Sequence, residues 1–124
     1  MNLLPLRNFL LERVQGESIY VFHMPFSVKT GVLLLHNLNG AKLDCELPGY
    51  KKAKFQAIVR SPKFEEGYQL SKEIMTALNG VRRGTLDGVY YYYIKPIHDP
   101  VAFPTSAGDN IEFSVNYEMV YIEN

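Results

Sequence analysis

The chain has 124 residues, 47% of them hydrophobic and 21% charged, which is enough apolar material for one core and excludes a disordered chain. Its 13 basic and 13 acidic residues give a formal net charge of zero, so the large cationic excess of a dedicated nucleic-acid binder is missing. A single cysteine, Cys45, excludes an intrachain disulfide framework.

The balanced total hides an uneven spread. Residues 1–60 carry eight Lys or Arg against four acids, and residues 61–124 carry five against nine. If the two halves form separate surfaces, unlike surfaces of neighbouring copies attract. The opening MNLLPLRNFLLERV is broken by Pro5, Arg7, Glu12 and Arg13, so it does not read as a signal peptide. No apolar run reaches the roughly 20 residues of a membrane-spanning helix. The expectation is a soluble chain with no membrane partner.

In chain order, Leu3, Leu6, Leu10 and Val14 recur at three- and four-residue spacings and predict a helix over about 3–15, stopped by Gly16. The stripe is expected to pack on a sheet, since Lys-rich flanks for a membrane surface are missing. SIYVFHM (18–24) and GVLLLH (31–36) read as strands, and Asn39-Gly40 as a hairpin signal. Pro48-Gly49 is a turn, after which Phe55, Ala57 and Val59 alternate with Gln56, Ile58 and Arg60 in a further strand. GYKKAKF (49–55) reads as a charged turn entering it.

SPKFEEGYQLSKEIMTALNG (61–80) predicts a second helix, with Ser61 as N-cap, Pro62 at the first helical position and Gly80 as a left-handed cap. Leu70, Ile74, Ala77 and Leu78 form its apolar face, and Gly67 costs about 1 kcal/mol of propensity that close packing can recover. Two strands joined by Asp87-Gly88 follow. Residues 97–110 read as an extended segment in which Pro100 and Pro104 block ladder pairing. The last strand alternates Ile111, Phe113, Val115, Tyr117, Met119 and Tyr121 with Glu112, Ser114, Asn116 and Glu118. The order predicts a single α+β domain (1–124), an antiparallel or mixed β-sheet packed by two α-helices.

No catalytic or metal constellation emerges, and no cofactor is expected. His23, His36 and His98 are scattered, and adjacent His98 and Asp99 point apart on an extended chain. Cys45 lies between Asp44 and Glu46, which favour the unreactive thiol. The glycines form neither a Walker nor a dinucleotide loop. The four tyrosines of GVYYYYIKP divide by strand alternation: Tyr90 and Tyr92 on one face, Tyr91 and Tyr93 on the other. One pair packs under the helices and the other is available for contact. Lys51, Lys52 and Lys54 with nearby aromatics support an alternative reading, a small nucleic-acid-binding module.

Several segments together carry a resemblance. LPLRNFLLERV, IYVFHMPFSVKTGVLL, NLNGAKLDCELPGYKKAKFQAIVRSPKFEEGYQLSKEIMTAL and the late strands resemble the tail-terminator or minor capsid (head-tail joining) proteins of long-tailed bacteriophages, over almost the whole chain. The resemblance implies a structural virion protein without enzymatic activity. Such a protein forms a ring, usually a hexamer, on the head-proximal end of the tail, in the virion and earlier in the host cytoplasm during assembly. The implied partners are further copies of itself, the tail tube protein and a head-completion or neck protein. Double-stranded DNA passes through such a ring without sequence recognition. The expected contact regions are 37–54 and 97–110. The candidate contact residues are Lys51, Lys52, Lys54, Arg82, Arg83, Tyr91, Tyr93, His98 and Phe103.

Overall fold

The structure, a computed structural model, describes residues 2–14, 18–25, 27–36, 42–43, 50–104 and 110–123. Gly16, Asn39-Gly40, Cys45 and Pro48-Gly49 lie outside them, as do 37–41, 44–49 and 105–109 of the expected contact regions.

The first helix, α1 (Leu4–Arg13), buries Leu6 and Leu10, and Leu3 and Val14 complete the buried stripe at its ends. β1 (Ile19–Val21) is shorter than its β-rich sequence predicts. Phe22 takes a φ of 79°, in the left-handed region, and turns the chain out of the strand. β2 (Gly31–His36) returns parallel to β1, while its other edge pairs antiparallel with β4 (Tyr50–Ser61). The short β3 (Lys42–Leu43) also joins β4.

β4 begins five residues earlier than its apolar alternation suggests. Lys51, Lys52 and Lys54 therefore lie within the strand and not in a charged turn. The cause is its partner: β8 (Ile111–Glu123) pairs with β4 continuously from Tyr50↔Ile122 to Ser61↔Ile111.

That long ladder also moves the start of α2 (Phe64–Asn79). Ser61 is the last residue of β4, so it is not the N-cap; that place falls to Lys63. The Ser61 hydroxyl instead accepts from the Lys63 amide at 3.2 Å and donates to the Lys63 carbonyl at 3.0 Å, tightening the corner. Gly80 ends the helix in right-handed geometry (φ −80°), not in the left-handed cap expected of it. Its amide bonds the Thr76 and Ala77 carbonyls, both at 3.2 Å.

β5 (Arg82–Leu86) and β6 (Val89–Pro96) form the expected hairpin. Asp87 and Gly88 both have positive φ, 47° and 83°, as a two-residue turn between twisted strands requires. A further strand, β7 (Val101–Pro104), pairs with β8 from Val101↔Ser114 to Pro104↔Ile111. The prolines therefore bracket a short pairing and do not prevent it.

The result is an α+β fold with one mixed sheet, β1-β2-β4-β8-β6-β5, to which β3 and β7 add at the edges of the long strands. Helix α2 packs across β4, β6 and β8, and α1 lies against β1, β5 and α2. Register places Phe55, Ala57 and Val59 of β4 beside Tyr117, Val115 and Phe113 of β8 under α2, where Leu70, Ile74 and Leu78 meet them. Gly67 makes that approach possible: a Cβ there would stand 2.3 Å from Cε1 of Phe113.

Candidate functional site: the open face of the sheet

Alternation along β4 and β8 sends the remaining side chains to the face away from the helices. That face carries Lys52, Lys54, Gln56, Ile58 and Arg60 from β4, opposite Val120, Glu118, Asn116, Ser114 and Glu112 from β8. Lys51 has the other parity and stands opposite core residue Tyr121, so the three lysines do not form one patch.

The tyrosine run is rearranged by a single irregularity. Tyr91 pairs with Tyr121, but the next residue of β8, Val120, pairs with Tyr93 and not with Tyr92. Tyr92 is the extra residue of a β-bulge, and past it the alternation is reversed. Tyr91 points inward, 1% exposed, against Tyr121. Tyr90, Tyr92 and Tyr93 share the open side: the Tyr90 and Tyr92 rings meet edge to face at 5.0 Å, and Tyr93 reaches Glu118. The strict two-and-two division is therefore wrong, and Tyr91 is a core residue.

Glu118 is the electrostatic centre of this face. Its Oε1 lies 3.3 Å from Lys52 Nζ, and its Oε2 lies 3.3 Å from Lys95 Nζ and accepts from the Tyr93 hydroxyl at 2.9 Å. Burial alone pushes its carboxyl up. The hydrogen bonds from Tyr93, Lys95 and Lys52 outweigh that and hold it below the ordinary carboxylate value. Lys95 also stands 5.4 Å over the Tyr93 ring. Lys54 is exposed and forms no ion pair among the described residues.

At the other end of the face, Arg60 is tied to Glu112 at 3.1 Å and donates to the Pro25 and Val28 carbonyls at 2.8 and 3.1 Å. Val101 and Phe103 of β7 lie beside Ser114 and Glu112, 55% and 39% exposed. The face thus runs from a lysine–tyrosine half to a half with exposed apolar groups.

His98 sits where β6 has ended and β7 has not begun. Its Nε2 accepts the Asn116 backbone amide at 3.2 Å, which leaves the proton on Nδ1 to donate to the Asp99 carbonyl at 2.6 Å. It fills a gap in the ladder. His36 stands opposite Phe55 on the helix-covered side, and β4 and β8 lie between it and His98. Arg82 bonds Asn79 at 3.1 Å at the β5 edge, and Arg83 adopts φ 50° beside it. No cluster of metal-ligating groups occurs among the described residues, and no helix there is long and apolar enough to cross a membrane.

Sequence reasoning missed Glu118, Lys95 and Tyr92 as members of this surface. The strand pattern placed Glu118 on the polar face, but only pairing brought Lys52, Tyr93 and Lys95 onto its carboxylate.

Comparison with known proteins gives a family match over most of the chain. The model of a family described as bacteriophage tail terminator protein matches residues 10–122. No curated protein matches the chain. Among solved structures, a chain of a virion of a native gene transfer agent particle is 14% identical, with a TM-score of 0.62 over 96% of this chain and 90% of that one. A second solved chain is 11% identical, with a TM-score of 0.51 over 96% of both. At such identities these two likenesses concern the fold alone.

Proposed function

This chain belongs to the bacteriophage tail terminator family, whose members are structural and non-catalytic, and on that premise we propose that it caps the head-proximal end of the phage tail tube as a ring. The ring ends tube elongation and offers its other side to a head-completion or neck protein, while double-stranded DNA passes through without being read. The family match from residue 10 to residue 122 carries this reading. A sheet face with exposed lysines, tyrosines and apolar groups supports it, since a ring subunit must bury surface against copies and partners.

Electron microscopy of tails assembled with and without the protein tests the role. Omission is expected to give overlong tubes that lack heads. Tails of normal length that join heads in its absence would reject the capping role. Native mass spectrometry of the protein alone and with tail tubes reads the stoichiometry, for which a hexamer is expected.

The nucleic-acid-binding alternative loses support because Lys51 and Lys52 point to opposite sides of β4. Salt-dependent binding of single-stranded oligonucleotides would restore it.

A further inference from the structure

The two outer sides of this domain differ in charge. Helix α2 covers one side of the sheet, and its solvent side displays Glu65, Gln69 and Glu73 at four-residue spacing, all exposed; Lys72, on the same side, is paired with Asp99 at 3.2 Å. Glu65 and Glu73 form no ion pair among the described residues; Glu66 has a long contact, 3.7 Å, with Lys63. Arg13 lines the groove beside this row. On the opposite side, the lysine–tyrosine half of the sheet presents Lys52, Lys54 and Lys95, with Glu118 as the one acid among them within the described residues. Lys52 and Lys95 keep half of their side-chain surface in solvent even while bonded to Glu118.

We propose that the acidic side of α2 in one copy docks on the lysine–tyrosine half of the open sheet face of the next copy. Three observations favour a second copy as the occupant. The signs are complementary, which guides encounter and register. Tyr90 and Tyr92 supply aromatic area of the kind enriched at interfaces. The two surfaces lie on opposite sides of one domain, so each copy offers an unused α2 to a further neighbour. That is a heterologous contact, which closes into a ring when the rotation between copies allows. The inference rests on the ring reading above and adds which surfaces meet.

Charge exchange tests it. Lys54→Glu and the double change Glu65→Lys with Glu73→Lys alter exposed groups that support no contact within the fold among the described residues, so circular dichroism and thermal melting are expected to match the parent chain. Each variant alone is expected to weaken assembly about tenfold or more in sedimentation. All three changes in one chain are expected to recover it. Recovery establishes the pairing.

Variants that all assemble as the parent does, or a combined chain that stays dissociated, would overturn the pairing while leaving the ring reading intact. A parent chain that remains monomeric with tail tubes present would reject the ring itself. A third arm titrates a double-stranded oligonucleotide: binding abolished by Lys54→Glu, with assembly unchanged, would assign the lysines to phosphates and overturn the proposal.

Discussion

At the scale of single residues, Glu118 shows how a carboxylate is kept charged on a half-covered sheet. Its side chain is 13% exposed, and two lysines and a tyrosine hydroxyl share its two oxygens. Glu118→Gln keeps an acceptor for Tyr93 but removes the charge that both lysines answer. A loss of roughly 1–2 kcal/mol is expected in urea unfolding, less than for a fully buried pair because the lysines are hydrated. The pH dependence follows from the direction of the shift. With the folded value below the ordinary 4.5, the stabilisation is complete above that value and lost as the pH falls through the lower one. The variant is expected to show a flatter acid limb than the parent chain; identical limbs would mean that the three donors do not stabilise the charge. His98 was a contact candidate in the sequence and is a ladder plug in the structure. His98→Leu leaves the Asn116 amide without its acceptor, and about 1–2 kcal/mol of destabilisation is expected in the same measurement. Faster amide exchange at Asn116 would locate the loss.

At the scale of elements, the close fit of α2 to β8 depends on Gly67. Alanine there gains about 1 kcal/mol of helix propensity. Its Cβ, however, would overlap the ring of Phe113, which is buried in the core at 1% exposed. Overpacking of this kind costs about 1–3 kcal/mol or more, so Gly67→Ala is expected to lower the thermal midpoint; a rise would show that the helix can slide. The elements were unequally legible in the sequence. Alternation alone identified the whole of β8, because its inward residues all join the same apolar core. The extension of β4 through Lys54, Lys52 and Lys51 was hidden because its signal is a 13-residue partner far along the chain. The bulge at Tyr92 was hidden too, since four tyrosines carry no mark of where the ladder slips.

At the scale of the whole molecule, the two helices cover one side of a mixed sheet, and Lys52, Lys54, Tyr92 and Lys95 stand exposed on the other. Tyr92 lies on that open side, 38% exposed, with Tyr90 against it. Tyr92→Ala is expected to change unfolding stability by less than about 1 kcal/mol and to weaken assembly in sedimentation. Assembly indistinguishable from the parent would remove the tyrosines from the interface.

The sequence by itself determined the class of the fold, the two helices and the apolar side of each long strand. These depend on local periodicity and composition, which short stretches of chain carry. Tertiary structure alone decided which polar residues share a surface. The slip between Tyr91 and Tyr93 brought Tyr93 to the side of Tyr90 and Tyr92, and antiparallel pairing gathered Lys52, Tyr93 and Lys95 around Glu118. Register between distant strands is set by the packing of the whole sheet, and no local pattern records it.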